Sequence, residues 1–179
     1  VAAGAGNNVV DLGSGADTVT ALEGADSVYG GADGVADRYE LGAGSDTVYA
    51  GTGDDWIDVS GTGTGDSDYV EASSGNDTVI AGSGNDVVLA GSGTDSIVLG
   101  DGADSVLLIL DQGGVDTINM GTGSDTVSAA ADTGGVYAFF SGTDTDGDYV
   151  LSGSGADTIV LNSGHDTVFA GKGSDTVAA

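Results

Sequence analysis

The sequence predicts an all-β fold, a solenoid of about nine coils with two short strands in each, and three observations predict it. Along nearly the whole chain an Asp recurs every nine residues, Val or Ile follows it two positions later, and Gly precedes it by two. A fixed short period marks solenoid architectures, because a unit too small to bury an apolar face alone must stack on its neighbours.

The period is plainest from Ala81 to Leu107, which reads AGSGNDVVL, AGSGTDSIV, LGDGADSVL. With the Asp as marker, the units run through Asn8, Asp17, Asp26, Asp37, Asp46, Asp55, Asp68, Asp77, Asp86, Asp95, Asp104, Asp116, Asp125, Gly134, Asp148, Asp157, Asp166 and Asp175. Of these 18 units, 17 carry Val or Ile two residues after the marker, with Tyr39 the exception and Val136 placing the Gly134 unit. A chain merely rich in Gly and Asp does not place β-branched residues with that regularity. Spacing departs from nine at four places, which predict loop insertions near 32–36, 60–67, 111–115 and 137–147 of one continuous roll spanning 1–179.

Within a unit, Val or Ile is followed two residues later by Ala, Leu or Met, as in Val19 and Ala21, Ile97 and Leu99, or Ile118 and Met120. Period two puts both on one face of a short strand. The remaining Gly-x-Gly-x-Asp is a turn, where Gly supplies positive φ and lets backbone approach a ligand. Stacked at strand spacing, nine coils predict a rod roughly 40 Å long. The residue after the marker is Ser or Thr in most units, which suits an outward hydroxyl ladder on each sheet.

Charge narrows the partners. The chain of 179 residues carries 29 acidic residues against Arg38 and Lys172, a formal net charge of −27, so nucleic acid and anionic membrane surfaces are repelled and cations attracted. An apolar content of 39% is too high for a solvated acidic tail. With 0 Cys there is neither a disulfide scaffold nor a thiolate metal site. The apolar run Val106 to Leu110 is too short for a transmembrane segment. Lack of a basic leader and of an initiator Met reads as a mature product or a piece of a longer chain.

Residues such as Gly82-Ser83-Gly84-Asn85-Asp86-Val87-Val88 resemble the repeats-in-toxin (RTX) nonapeptide, GGxGxDxUx, a Ca²⁺-binding β-helix repeat. The resemblance implies a right-handed parallel β-roll with Ca²⁺ held between turns of neighbouring coils by the 16 marker Asp, from Asp17 to Asp175, and by backbone carbonyls. It also implies export from a Gram-negative type of bacterium and folding on meeting calcium outside the cell.

The chemistry agrees, since Ca²⁺ takes six to eight oxygens and accepts mixed carboxylate and carbonyl shells. Stacked coils bring Asp near Asp, where a divalent ion turns repulsion into a clamp. The best pairs, two units apart, are Asp55 with Asp77, Asp77 with Asp95 and Asp157 with Asp175 on one side, and Asp26 with Asp46, Asp86 with Asp104 and Asp104 with Asp125 on the other. The expected load is about 6 to 14 ions.

The chain departs from the RTX pattern at the first Gly, which survives at Gly63 and is elsewhere replaced by inward residues such as Ala3, Leu12, Ala50, Leu99, Met120 and Leu161, giving a fuller core. The insertions add acids, Asp66 before Asp68 and Asp144-Thr145-Asp146-Gly147-Asp148, which reads as an extended calcium turn or a solvated loop. A complete EF-hand would need Glu near Gly155.

No catalytic constellation is present. His165 is the single His and reads as a turn residue, and the sequence holds no HExxH, no Cys nucleophile and no phosphate loop opening a helix. The sequon at Asn76 falls inside a predicted calcium turn. Three residues after the marker the later coils point clusters of aliphatic side chains outward, Ile80, Val98 and Val160 on one sheet and Leu89, Leu107 and Leu151 on the other, with the aromatic Tyr137 and Phe169 in the same rows. Such a patch predicts burial against another subunit or domain. Both ends fall in mid-unit, which predicts either a window of a longer roll or head-to-tail stacking through open strand edges.

Three functions fit. The first is a calcium-rigidified structural module of a secreted surface assembly, such as an S-layer, an extracellular filament or an adhesin stalk. The second is the calcium-triggered folding and export domain of a type I-secreted toxin, protease or lipase. The third, an adhesin for ice or polysaccharide, needs a regular Thr and Asn array, but the residue three before the marker is a mixture such as Ser14, Ala43, Thr52, Asp101 and Lys172.

Overall fold

In a computed structural model, residues 1–108, 114–130, 138–140, 142 and 145–179 are described, with backbone alone at 138–140. Each unit contributes one strand, in most units centred on or containing the residue two after its marker, and alternate strands enter alternate sheets. The first nine-stranded sheet stacks Val9–Asp11, Ser27–Tyr29, Thr47–Tyr49, Tyr69–Glu71, Val87–Leu89, Ser105–Leu107, Thr126–Ser128, Tyr149–Leu151 and Thr167–Phe169. The second stacks nine strands, Thr18–Thr20, Arg38–Glu40, Trp56–Asp58, Thr78–Ser83, Ser96–Asp101, Thr117–Thr122, Ala138–Phe140, Thr158–Val160 and Thr176–Ala178. All pairings are parallel and two units apart, for example Val88 beside Val106 and Val79 beside Ile97. The fold is thus an all-β solenoid of stacked coils, a β-roll, with no helix among the described residues.

The core lies between the sheets. Val19, Val28, Val48, Ile57, Val79, Val88, Ile97, Val106 and Ile118 are fully buried, backed by Ala50, Ala81, Leu99 and Met120 two residues beyond their strand centres. Each such Val or Ile contributes about 1.5–3 kcal/mol on burial. Tyr39 takes the Val place in its column and is also fully buried, its hydroxyl donating to Ala50 O at 2.9 Å. Gly30 makes room for it: a Cβ there would stand 2.1 Å from the Tyr39 hydroxyl.

Counting back from the marker fails wherever a loop is inserted. The second inward residue belongs to the strand before the loop, so beside the 60–67 insertion the inward place falls to Val59, which is buried, rather than to Gly63, and beside the 32–36 insertion it falls to Gly30. Val59 N–H bonds Ile80 O and Gly30 N–H bonds Tyr49 O, the same ladder step that Ala50 makes to Glu71. Strand geometry fixes position four after the marker, and the loop leaves the coil beyond it.

The longest insertion is also divided. Ala138–Phe140 is a strand inside the span 137–147, and its register sets Phe139, not Val136, between Ile118 and Ile159, and Phe140, not Tyr137, between Asn119 and Val160. Val136, Tyr137 and Gly134 lie outside the described residues, as do most of the 111–115 insertion and Asp144. The cause is local: Val136 to Phe140 is an unbroken apolar run with no marker Asp, so alternation does not specify its register.

The outward rows follow the sequence. Thr and Ser alternate with larger groups after the markers, and Arg38 lies 3.5 Å over the Trp56 ring while bonding Glu40 at 2.6 Å. Tyr29 and Tyr49 stack at 5.2 Å on the first sheet. In the later coils Val98 (39%), Leu107 (36%) and Phe169 (53%) retain enough exposed area to form apolar rows rather than core.

Candidate metal centre

The turns bring the marker Asp into two rows, one beside each sheet. In every recorded step the backbone N–H of one marker donates to Oδ1 of the marker in the next coil. Along the first row this links Asp26 to Asp46 (2.8 Å), Asp46 to Asp68 (2.7 Å), Asp68 to Asp86 (2.8 Å), Asp86 to Asp104 (2.8 Å) and Asp104 to Asp125 (2.9 Å). Along the second it links Asp17 to Asp37, Asp37 to Asp55, Asp55 to Asp77, Asp77 to Asp95 and Asp95 to Asp116, each at 2.8 Å. Asp125 to Asp148, Asp148 to Asp166 and Asp157 to Asp175 continue the pattern, and Asn8 begins it by donating to Asp26. All six pairs expected from the sequence are formed: Asp77 with Asp95, Asp86 with Asp104 and Asp157 with Asp175 without interruption, and Asp26 with Asp46, Asp55 with Asp77 and Asp104 with Asp125 across insertions, which are extruded without breaking the step.

Most of these carboxylates are buried, with Asp17, Asp166 and Asp175 half-buried. One N–H satisfies one oxygen. The other oxygen, Oδ2, of Asp26, Asp46, Asp55, Asp77, Asp86 and Asp104 is buried without a hydrogen-bond partner. Leaving a charged oxygen so placed is costly. Burial accordingly pushes Asp68 and Asp77 up to about 7 and Asp46, Asp55 and Asp104 up to about 6, against the pull of the donated N–H and with help from neighbouring carboxylates. Asp86 is raised for the same reasons.

Glycine two residues before the marker shapes the rest of the gap. Gly102 has φ +149°, and a Cβ there would fall 1.5 Å from Gly84 O and 3.3 Å from Asp104 Oδ1. At Gly164 the same test meets Asp146 O at 2.0 Å and Asp166 Oδ1 at 2.9 Å, and at Gly173 it meets Gly155 O at 1.3 Å and Asp175 Oδ1 at 3.0 Å. A backbone carbonyl and a carboxylate therefore converge on a space that only glycine leaves open. Among the described residues no three Asp, Glu or His side chains form a cage by themselves. Carbonyls must complete any shell, which is the hard, mixed-oxygen donor set that suits Ca²⁺.

The profile of the RTX calcium-binding nonapeptide repeat (4 copies) matches residues 2–35, 32–61, 62–97, 71–106 and 142–177. The chain belongs to the RTX calcium-binding nonapeptide repeat family. No curated protein and no solved structure matches it. RTX repeats form a calcium-binding structural roll, and proteins that carry them are typically secreted. The residues of this RTX roll fit the ion: buried Oδ2 atoms lack partners, and at Gly102 a backbone carbonyl and the Asp104 carboxylate approach one space. No helix among its described residues is long and apolar enough to cross a membrane.

Sequence reasoning missed a second ladder beside the RTX markers. The residue just before the marker accepts from its counterpart one coil later: Asp54 from Asn76 (2.8 Å), Asn76 from Thr94 (3.0 Å), Ser45 from Ser67 (3.0 Å) and Asn85 from Ala103 (2.9 Å). The signal was the run of Asn, Ser, Thr and Asp at that position. His165 holds the same position in its unit and is exposed, as expected of a turn residue.

Proposed function

We propose that the two Asp rows are calcium ladders, with Asp17, Asp26, Asp37, Asp46, Asp55, Asp68, Asp77, Asp86, Asp95, Asp104, Asp116, Asp125, Asp148, Asp157, Asp166 and Asp175 as carboxylate ligands. The chain would then serve as a structural, non-catalytic module of a secreted cell-surface assembly that folds and stiffens on binding about 6 to 14 Ca²⁺. The observation that carries this reading is the row of buried Oδ2 atoms without partners, on Asp26, Asp46, Asp55, Asp77, Asp86 and Asp104. Calcium held by these carboxylates would supply the positive charge that their buried oxygens lack. Exposed Val98, Leu107 and Phe169 support assembly, because a calcium-neutralised roll no longer repels its own copies through the net charge of −27.

The test is light scattering with circular dichroism, first in chelator and then in millimolar Ca²⁺. A compact chain of this length has a radius of gyration near 16 Å against roughly 45 Å unfolded. Contraction followed by growth into large particles supports an assembly subunit. Contraction to a lasting monomer favours the second reading, a calcium-triggered export domain. An unchanged radius and spectrum defeats both.

A further inference from the structure

Five residues before the marker stands Ala, Leu or Met in 14 of the 18 units, and Ser152 is one of the departures. Its backbone follows the column, since Ser152 N–H donates to Phe169 O at 3.1 Å as Ala72 N–H does to Leu89 O at 2.9 Å. Its side chain adds something no Ala supplies. The Ser152 hydroxyl is fully buried, 2.7 Å from Asp157 Oδ2 and 3.1 Å from Ala170 O in the next coil. A hydroxyl carries one proton, and the shorter contact, with an ionised carboxylate, is the stronger place for it. Ser152 thus donates to the marker of its own unit from inside the core.

Units that keep the apolar residue differ at the same atom. Asp55, Asp77 and Asp86 follow Ala50, Ala72 and Ala81 by five residues, and each has a buried Oδ2 with no hydrogen-bond partner. Asp157, 1% exposed, has at its Oδ2 the donor that those three lack. An ionised oxygen is costly to bury unless something donates to it, so at Asp157 the chain itself supplies part of what a cation supplies elsewhere. An ion that takes this oxygen must displace the Ser152 hydrogen bond, whereas at Asp77 Oδ2 there is none to displace. We propose that Ser152 sets the calcium affinity of its unit: it is a built-in donor that holds the Asp157 carboxylate without an ion and makes the ion at Asp157 the last to bind. This rests on the calcium-ladder reading above.

The experiment counts Ca²⁺ bound to the full chain with a calcium-selective electrode, over the range in which circular dichroism shows the roll already folded. Ser152→Ala restores a residue usual in the repeat, and the weakest ion should tighten by about tenfold, the difference between a charge-assisted hydrogen bond and an ordinary one. Ser152→Thr keeps the hydroxyl and should titrate as wild type. Ala72→Ser brings the donor to Asp77 from the same place in the same sheet, and should loosen one ion by a similar factor even if Ser152→Ala folds poorly. Urea denaturation separates this role from packing: Ser152→Ala should lower the midpoint when calcium just suffices to fold the roll, with a smaller deficit at saturation, whereas a packing defect lowers both alike. Curves of Ser152→Ala and Ala72→Ser that superimpose on wild type overturn the role of Ser152 while leaving the ladders intact. So does a weakened ion in Ser152→Ala, which would make the hydroxyl itself a ligand. A wild-type chain that binds no calcium overturns the underlying reading as well.

Discussion

Asp104 Oδ1 accepts the Asp86 N–H at 2.8 Å, while its Oδ2 is buried with nothing to bond. One oxygen is thus a backbone strut between coils, and the other is reserved. Replacing Asp104 with Ala removes both functions and leaves a buried N–H unsatisfied, at a cost of about 1–3 kcal/mol before any ion is counted. Asp86→Ala acts alike on Asp68. Asp11 is exposed, and Asp58 bonds locally to Ser60. Calcium titration followed by circular dichroism should therefore show a several-fold higher midpoint for Asp86→Ala and Asp104→Ala than for Asp11→Ala and Asp58→Ala. Equal shifts in both sets contradict the ladder.

The raised carboxylates make acid a partial substitute for calcium. Asp46, Asp55 and Asp104 near 6, and Asp68 and Asp77 near 7, all stand above the ordinary 3.8. The folded roll thus binds protons more tightly than the unfolded chain. Its stability rises as pH falls from about 7 towards 4 and gains no more below the unfolded value. In chelator, the roll should show more β-structure, or a higher urea midpoint, at pH 5 than at pH 8. A lower midpoint at pH 5 would contradict the burial described here.

The gap beside Asp104 also depends on a glycine. At Gly102, with φ +149°, any side chain is strained and its Cβ meets Gly84 O. Gly102→Ala should weaken or abolish calcium uptake in that gap and lower the calcium-saturated urea midpoint. Ala103→Gly, one residue on, should leave the calcium stoichiometry unchanged.

Much of this was legible because a nine-residue period fixes strand, face and partner together. Val79, Val88 and Ile97 went to the core, and Asp77 met Asp95, as spacing alone required. Legibility failed where spacing stopped being informative. A loop between two markers leaves open which side owns the inward residue, so Val59 rather than Gly63 filled the core. A run without alternation left Phe139 and Val136 equivalent until the stack chose Phe139. Asp66 was readable as an extra acid, but its direction depended on the space left by Gly63, which is a property of the folded turn.

Tyr39 and Gly30 form a matched pair of exceptions to the repeat, and their coupling can be measured. The tyrosine fills a Val place only because nothing stands on Gly30, and its buried hydroxyl donates to Ala50 O while lying 3.2 Å from Asp37 Oδ2. Burial, followed by the charges of Asp55 and Asp37, holds that hydroxyl protonated far above its ordinary range. Tyr39→Phe removes a donor from a buried carbonyl and should cost about 1 kcal/mol. Gly30→Ala should cost more, because its Cβ would lie 1.9 Å from Ala50 O and 2.1 Å from the hydroxyl, so backbone must shift as well as side chain. In the Gly30→Ala background, Tyr39→Val relieves the hydroxyl contact but not the one with Ala50 O. Urea denaturation at saturating calcium should therefore show partial rescue, with a coupling energy clearly different from zero. Strict additivity of the two substitutions would mean that Gly30 does not accommodate Tyr39.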